Sequence, residues 1–566
     1  MTRTIEVSSA AELSAALGAV GGDVEVLLAD GVYRLAEPLV LKGAKRVSVR
    51  AVPGARPVVS GGLVLGGWSV TPEGWWRASV PESAGTPRQL SVNGARSAWA
   101  RGPWISSADC SVTSAGLSGT EVAGWSRPED VEAVFKVRWR DFHCRVASAS
   151  PDLLTFVTPA WTNSIAGTGR VGPHWDDTAV TTMRHQWSMF LSNALELLRE
   201  PGSFVWDSRA RTVTYLPRPG EVLAEAEIVV PVLEYLVVVE GASQVSLRGI
   251  TFRDTAWRQP GTDDGYAGMQ AGLSLVGATG PSDMAGRFYT KPAAAVTVRN
   301  GHEVEIVECC FTGLGGAGAV LERGTTDSLI SGCRFTDISG GAVLVGDLDP
   351  HPDESQADAR NTVTLNTIVG VGVEFTDSVG IWAGYTRELT VSQNTLEDLP
   401  YSGISVGWGW NQPEAQDPWL GENTIRGNRL VGVMRRESRH FDGGAIYTQG
   451  PQPGTVIAAN YINGVRHPSS GTDGNGVYLD EQSSYITVTG NVATRLGYKW
   501  VSNWAEYGVE NRAVGNWTDS TVTPPLSGEG SVMRDNSIGL TELPPEAIAV
   551  AERAGAGPWP AEVDLL

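Results

Sequence analysis

One apolar phrase recurs four times in the second half of the chain, as V-G-I-W-A-G-Y (379–385), S-G-I-S-V-G-W-G-W (402–410), G-A-I-Y-T-Q-G (444–450) and N-G-V-Y-L-D-E-Q (475–482). An Asn also recurs beside apolar residues, at spacings of 25 to 34, at positions 366, 394, 428, 460, 491 and 516. A loose period of this size, made of short strands without helices, is typical of a solenoid. The alternative is a Greek-key β-sandwich, for which a repeated Asn of this kind is not expected.

The repeat predicts an all-β fold, a right-handed parallel β-helix in which every coil adds one strand to each of three long sheets. Equivalent residues on neighbouring coils should stack about 4.8 Å apart. Side chains alternate along a strand, so one set of residues should point into the coil: Ile381, Ile404, Ile446 and Val477. Their neighbours should point outward: Trp382, Ser405, Tyr447 and Tyr478. The repeated Asn residues should stack at one buried corner, where their amides satisfy backbone groups of the next coil.

The repeat covers only part of the chain, which predicts four regions. They are an N-terminal cap with the first coils (1–66), an inserted β-rich, sandwich-like domain (67–231), the β-helix with its groove (232–540) and a C-terminal helix and tail (541–566). The cap should contain a short helix with Ser8 or Ser9 as its N-cap. Two interruptions of the repeat, 257–292 and 347–356, are interpreted as loops beside the groove.

Composition narrows the possible partners. The 566 residues carry a formal net charge of -20, which argues against nucleic acid or an anionic membrane as a partner. The N-terminus lacks an apolar signal region, and no run of 18 apolar residues occurs. We therefore expect a cytoplasmic protein, or a secreted one if a signal was trimmed from this sequence. The oligomeric state is left open.

No cofactor and no metal are expected. Of the five Cys, residues 309, 310 and 333 fall where the repeat places a buried corner, and stacked thiols are favoured over a disulfide or a metal site. The acidic residues Asp347, Asp349, Asp353 and Glu354 lie in the second interruption. They are interpreted as a solvated loop, with a cation site as the alternative.

The outward positions of the repeated strand carry aromatic side chains. They are Trp382, Tyr385, Trp408, Trp410, Tyr447 and Tyr478. A solvent-facing column of aromatics is typical of a surface on which sugar rings stack. The alternative is that a loop, such as 411–421, covers the column. The pattern thus predicts carbohydrate as the partner.

Acidic residues concentrate in the same coils. Aligning the strand phrases places Asp442 level with Asp473, and Asp480 level with Gln449. Glycoside hydrolysis requires two carboxyls, about 5–5.5 Å apart for retention or about 6.5–9.5 Å apart for inversion. Asp442 and Asp480 meet this only if the chain folds back at Gly443 and Gly444, so the stacked pair Asp442 and Asp473 remains an alternative, as does Glu481. His440 is expected beside Asp442, either as a substrate hydrogen-bond donor or as an ordinary surface residue.

The phrases D-L-P-Y-S-G-I-S-V-G-W-G-W (398–410), D-G-G-A-I-Y-T-Q-G (442–450) and G-N-G-V-Y-L-D-E-Q-S-S (474–484) resemble the β-helix proteins grouped around glycoside hydrolase family 141. The likeness extends to R-Q-L-S-V-N-G-A-R (88–96) and L-R-E-P-G-S-F-V-W-D (198–207). That family includes α-L-fucosidase and xylanase activities. The resemblance implies a glycosidase whose acid pair lies in the D-G-G-A-I-Y and Y-L-D motifs, which correspond to Asp442 and Asp480.

The leading hypothesis is therefore a glycoside hydrolase that acts on an oligosaccharide or a small glycoside. A polysaccharide lyase or epimerase on the same fold is the enzymatic alternative, and it requires a strong base and a cation or Arg for a uronate carboxylate. Of the five Lys, only Lys499 lies near the groove coils. A non-catalytic carbohydrate-binding β-helix is the third possibility.

Overall fold

The computed structural model describes residues 3–18, 23–118, 122–165, 187–277, 289–409, 417–465, 474–504 and 508–557. Trp410 and Asp473 lie outside these ranges. The chain divides into two compact units. The first contains Met1–Ser60, Tyr235–Arg253 and Ala294–Leu566, and the second contains Gly61–Glu234 and Asp254–Ala293.

Three long parallel sheets build the first unit. Within the described residues, sheet 1 contains thirteen strands, in the order Arg3–Val7, Val24–Leu28, Lys45–Ala51, Ser243–Arg248, Glu305–Val307, Leu329–Ser331, Thr362–Thr364, Thr390–Ser392, Thr424–Arg426, Val456–Ala458, Thr487–Thr489, Arg512–Val514 and Val532–Arg534. Sheet 2 contains eleven, in the order Gly31–Arg34, Pro57–Ser60, Thr251–Thr255, Cys310–Leu314, Arg334–Ile338, Thr367–Val371, Thr395–Glu397, Arg429–Val431, Tyr461–Asn463, Val492–Thr494 and Trp517–Thr518.

Sheet 3 is the sheet that carries the repeated phrase. Its described strands are Leu39–Lys42, Val237–Glu240, Ala294–Arg299, Ala317–Glu322, Val343–Val345, Ile381–Ala383, Ile404–Val406, Gly443–Thr448, Gly474–Leu479 and Val501–Asn503. A two-stranded parallel pair, Asp358–Ala359 with Thr386–Arg387, lies beside these coils. Along most of the first unit, successive strands belong to the three sheets in turn. The prediction of an all-β, parallel β-helix is therefore confirmed.

The register of sheet 3 is the one that the repeat predicts. Ile381 pairs with Ile404, Ile404 with Ile446, and Ile446 with Val477, while Tyr447 pairs with Tyr478. The inward residues are at most 2% exposed and form the core of the coil. In these coils, a typical strand of sheet 1 or sheet 2 has one buried residue between two half-buried ones. The corresponding strands of sheet 3 are buried at every position. Both faces of sheet 3 are therefore shielded from solvent here.

The repeated Asn residues form one continuous buried ladder. Each Asn side-chain oxygen accepts the backbone N–H of the Asn one coil earlier, at 2.9–3.0 Å, from Asn366 to Asn516. The ladder begins with sulfur, because the N–H of Cys309 donates to Cys333 Sγ at 3.4 Å and the N–H of Cys333 donates to Asn366 Oδ1 at 2.9 Å. The predicted stacking of the Asn residues and of buried free thiols is thus observed.

Short helices flank the coils. Helix α1 spans Ala10–Gly18, and Ser9 Oγ accepts the N–H of Glu12, which makes Ser9 its N-cap. Helix α2 (Ala160–Ile165) belongs to the second unit, and helix α3 (Pro545–Arg553) begins with proline near the C-terminus. Single 3-10 turns lie at Glu82–Ala84, Val122–Gly124, Pro128–Asp130, Leu195–Leu197, Gln259–Gly261, Glu354–Gln356 and Arg436–Ser438. None of the helices in the described ranges is long and apolar enough to cross a membrane.

The second unit consists of two further sheets, each with its own apolar core. Among the described residues, one sheet contains Gly62–Val64, Ile228–Pro231, Leu90–Val92, Ala95–Trp99, Ser203–Asp207, Thr212–Tyr215, Trp76–Ser79 and Ser69–Val70. The other contains Ile105–Ser106, Trp187–Ser192, Glu132–Val137, Arg140–Ala149, Leu154–Phe156, Gly116–Leu117, Val112–Thr113, Tyr266–Gln270, Leu273–Leu275 and Tyr289–Thr290. The interpretation of 257–292 as a loop was wrong, since this stretch supplies three strands to the second unit.

Candidate active site

Asp442 and Asp480 occupy opposite ends of neighbouring strands in sheet 3. Asp442 directly precedes Gly443–Thr448, and Asp480 directly follows Gly474–Leu479. The positive φ expected at Gly443 and Gly444 occurs instead at the residue before them. Asp442 itself has a φ of 65°, and neither Gly443 nor Gly444 has a positive φ. An Asp tolerates this left-handed conformation better than most side chains.

The two glycines serve close packing instead. A Cβ built on Gly443 would lie 2.9 Å from Tyr401 Cε2, and one on Gly444 would lie 3.0 Å from Tyr478 Cβ. The Tyr401 hydroxyl donates to the backbone oxygen of Asp442 at 2.7 Å, which fixes the turn. The glycines therefore allow two tyrosine side chains to approach the backbone that presents the Asp442 carboxylate.

Two stacked tyrosines connect the carboxyl groups. The rings of Tyr447 and Tyr478 meet edge to face, with centroids 5.5 Å apart. The Tyr447 hydroxyl donates to Asp480 Oδ2 at 2.6 Å, and the Tyr478 hydroxyl lies 3.4 Å from Asp442 Oδ1. The Tyr478 hydroxyl also interacts with Asp480 and lowers the pKa of that carboxyl. The two carboxyls are therefore connected through one pair of packed phenol rings on adjacent coils.

Gln449 completes this arrangement from the position level with Asp480. Its Nε2 donates to the Tyr447 hydroxyl at 3.0 Å. Because the phenol oxygen already accepts this bond, its own proton is directed to Asp480 Oδ2. Tyr447 therefore engages Oδ2 of Asp480 as an acceptor.

Burial and neighbouring negative charge raise the pKa values of the acids that follow the strand Gly474–Leu479. Burial, together with the charge of Asp442, raises the pKa of Asp480 to about 7. Burial and the charges of Asp480 and Asp442 raise the pKa of Glu481 to about 8. Both residues are half-buried rather than fully buried. Carboxyl groups that keep a proton near neutral pH are suited to act as acids in catalysis.

The tyrosine hydroxyls remain protonated over the same range. Burial, and next to it the charge of Asp480, raises the pKa of Tyr447 well above that of an ordinary tyrosine. The pKa of Tyr478 rises for the same reasons, with Asp442 contributing as well. Both phenols are therefore hydrogen-bond donors to the carboxyls rather than anions.

The expectation of a solvent-facing aromatic column was wrong. Trp382, Tyr385, Trp408, Tyr447 and Tyr478 are all less than 7% exposed. Trp382 and Trp408 pack edge to face at 6.0 Å between ring centroids. The column fails to reach solvent because sheet 3 is covered on its outer face as well as its inner one. Trp410 lies outside the described residues.

His440 is neither a surface residue nor exposed in the groove. It is fully buried, its Nε2 lies 2.8 Å from Thr376 Oγ1, and its ring packs against Tyr401 at 5.8 Å between centroids. Tyr401 in turn donates a hydrogen bond to the backbone of Asp442. The prediction that His440 lies beside the substrate is therefore corrected: His440 packs against the tyrosine that holds the Asp442 turn. Asp473, the alternative partner of Asp442, lies outside the described residues.

The acidic loop at 347–356 is not uniformly solvated. Asp353 caps the turn Glu354–Gln356, and Glu354 pairs with Arg387 at the surface. Asp347 instead faces His351, which also contacts Asp417 and lies near Asp358. Sequence reasoning missed His351, Asp358 and Asp417, which belong to no repeated phrase.

Comparison with known proteins supports the fold. No protein-family model matches the chain, and no curated protein matches it. A solved structure described as a glycoside hydrolase is 23% identical, with a TM-score of 0.76 and coverage of 98% of both chains. A structure of XylC in complex with xylose is 9% identical, with a TM-score of 0.52, over 95% of this chain and 86% of that one. At these identities the likeness shows a shared fold over nearly the whole chain.

Proposed function

We propose that this protein is a glycoside hydrolase that uses Asp442 and Asp480 to cleave a glycosidic bond in an oligosaccharide or a small glycoside. The observation that carries the proposal is the pair of carboxyls on adjacent coils, connected through the packed rings of Tyr447 and Tyr478, one of them with a pKa raised to about 7. Glycoside hydrolysis requires two such carboxyls flanking one bond. The sugar ligand of one structural neighbour is consistent with this class of substrate.

Asp480 is assigned as the general acid. A pKa near 7 leaves a large fraction of this carboxyl protonated at neutral pH, which protonation of a leaving oxygen requires. The Tyr447 hydroxyl holds the carboxyl in place through Oδ2. Asp442 is then the nucleophile, or the base that activates water. Its negative charge also contributes to the proton affinity of Asp480.

Product analysis with the wild-type protein tests the class of reaction. Aryl glycosides, neutral oligosaccharides and uronate oligosaccharides are incubated separately, and reducing ends and ultraviolet absorbance are followed together. On the oligosaccharides a hydrolase releases reducing ends with no new ultraviolet absorbance, and on an aryl glycoside it releases the free phenol as well. An unsaturated, ultraviolet-absorbing product would assign a lyase, and sugar binding without turnover of any substrate would assign a binding protein. Either result contradicts the proposal.

A further inference from the structure

A second group of ionisable side chains lies at the same edge of sheet 3 as Asp480, several coils away. Asp347 follows the strand Val343–Val345, His351 lies in the loop after it, and Asp358 is in the short strand Asp358–Ala359. Asp417 comes from the stretch after Ile404–Val406. Asp358 is fully buried, and His351 and Asp417 are at most 8% exposed. Four groups that prefer water are thus held together inside the protein.

Asp417 fixes the orientation of the imidazole. Its Oδ2 lies 2.6 Å from His351 Nδ1 and accepts the backbone N–H of His351 at 2.9 Å. Its Oδ1 accepts the N–H of Trp419 at 2.8 Å. With both oxygens engaged as acceptors, Nδ1 carries a proton directed at Asp417, and Nε2 faces the opposite way.

Nε2 points at two further carboxyl groups. It lies 3.4 Å from Asp347 Oδ2 and 4.0 Å from Asp358 Oδ2. One ligand atom from each of Asp347, His351 and Asp358 falls within 4.8 Å of the other two. The other oxygen of Asp358 accepts the N–H of Thr325 at 2.8 Å, so the strand itself directs Oδ2 toward the imidazole.

We propose that Asp347, His351 and Asp358 bind one divalent first-row metal ion of the Zn²⁺ or Mn²⁺ type, with Asp417 orienting the imidazole. A ligating His commonly donates its second ring N–H to a carboxylate, the arrangement found between His351 and Asp417. One imidazole and two carboxylates are ligands that Zn²⁺ and Mn²⁺ accept. Metal–ligand bonds of about 2.0–2.2 Å place neighbouring ligand atoms roughly 3.3–3.6 Å apart, close to the 3.4 Å observed between Nε2 and Asp347.

The proton is the competing cation. Burial alone would lower the pKa of His351. The hydrogen bonds to Asp347 and Asp417 nevertheless raise this pKa to about 9 in the absence of metal. An imidazolium would then lie among three carboxylates with no metal at all. The two arrangements differ in whether the purified protein binds a metal ion in a one-to-one ratio, and that ratio is measurable.

The site is separate from the proposed catalytic acids. Four coil steps lie between the strand before Asp347 and the strand before Asp480, which corresponds to about 19 Å at about 4.8 Å a step. A metal ion here therefore acts on the loop rather than on the scissile bond. It joins the loop at 347–358 to the coil beneath it and stabilises the folded protein increasingly as the free metal concentration rises above the Kd.

The test uses the full-length protein, stripped with a chelator and then titrated with Zn²⁺, Mn²⁺ and Ca²⁺ by calorimetry. We expect one equivalent of Zn²⁺ or Mn²⁺ to bind, the melting temperature to rise with metal concentration, and Co²⁺ to give a visible absorption band. Stripped wild-type protein that binds neither Zn²⁺ nor Mn²⁺ in a one-to-one ratio would overturn the proposal without reference to any variant.

Variants then assign the ligands. His351→Gln and Asp358→Asn should abolish the stoichiometric binding, and Asp417→Asn should weaken it about 10–100-fold. His302→Gln is the matched control, because His302 is exposed and lies near Asp327 on another sheet, and it should bind like the wild type. Binding by His351→Gln as tight as that of the wild type contradicts the assignment.

Discussion

At the scale of single residues, the tyrosine next to Asp480 contributes to how this acid titrates. Tyr447 donates to Asp480 at 2.6 Å, and this bond lowers the pKa of Asp480 against the larger effect of burial. A donor to the charged form of a carboxyl stabilises that form. Removing the hydroxyl should therefore make Asp480 hold its proton to higher pH.

Tyr447→Phe tests this relation through catalysis. If Asp480 is the general acid, its pKa sets the alkaline limb of the dependence of kcat/KM on pH. We expect that limb to move upward by about one pH unit in Tyr447→Phe, since a hydrogen bond to a charged group contributes about 1.5–3 kcal/mol and one pKa unit corresponds to about 1.4 kcal/mol. Tyr461→Phe, on sheet 2, is the control and should leave the profile unchanged. An alkaline limb that stays in place or moves downward excludes Asp480 as the acid.

Asp480→Asn should change how stability depends on pH. The folded-state pKa of Asp480, about 7, lies above the ordinary value of 3.8. The folded protein therefore holds this proton more tightly than the unfolded chain. The stabilisation is present below about pH 4 and is lost as pH rises toward about 7. Asn cannot ionise. Between pH 5 and pH 8 the free energy of unfolding should therefore fall by about 1–2 kcal/mol less in the variant than in the wild type. This energy allows for solvent screening of a partly exposed group.

Denaturation midpoints at the two pH values measure this difference. Asp398→Asn is the matched control, because the Asp398 side chain is 60% exposed and, like Asp442, has a positive φ. The control should lose as much stability as the wild type. Equal loss in Asp480→Asn and the wild type would mean that Asp480 is not protonated in the folded protein.

At the scale of elements, the Asn ladder holds the coils in register. Asn428 Oδ1 accepts the N–H of Asn394 at 3.0 Å, and its Nδ2 donates to Val391 O at 2.9 Å and Asn460 Oδ1 at 3.0 Å. All these groups lie where water does not reach. Each buried backbone group left unsatisfied costs about 1–3 kcal/mol.

Asn428→Ala should therefore lower the free energy of unfolding by about 2–4 kcal/mol. Asn463→Ala is the comparison, because Asn463 is half-buried and its side chain bonds only to the side chains of Tyr461 and Thr494. The comparison variant should lose less than about 1 kcal/mol, the size of one ordinary hydrogen bond. Urea denaturation measures both, and equal losses would show that the ladder does not contribute as described.

The ladder and the strand register could be predicted because they are local and repeated. Each coil presents the same Asn and the same inward apolar residue, so aligning the phrases also placed Asp480 level with Gln449. The burial of Trp382 and Trp408 could not be predicted in this way. Whether an outward side chain reaches solvent depends on what covers sheet 3. The alternating pattern of the strand does not indicate whether its outer face is covered.

At the scale of the whole molecule, predictions failed wherever contacts join distant and unrepeated stretches. The segment 254–293 belongs to the second unit through pairing with the strand Arg140–Ala149, more than a hundred residues earlier in the chain. Asp347, His351, Asp358 and Asp417 meet across 70 residues and share no motif. By contrast, the neighbouring positions of Asp442 and Asp480 could be predicted because their strands belong to adjacent coils.

The central claim is that Asp442 and Asp480 perform glycoside hydrolysis, and the turnover of their Asn variants tests it most directly. On the substrate found by product analysis, Asp442→Asn and Asp480→Asn should each slow kcat by about 10²–10⁴-fold, while Asp398→Asn stays near wild type. If the enzyme is retaining, azide should restore turnover of Asp442→Asn and yield a glycosyl azide. Near-native turnover of either variant, with its fold verified by circular dichroism, would contradict the account.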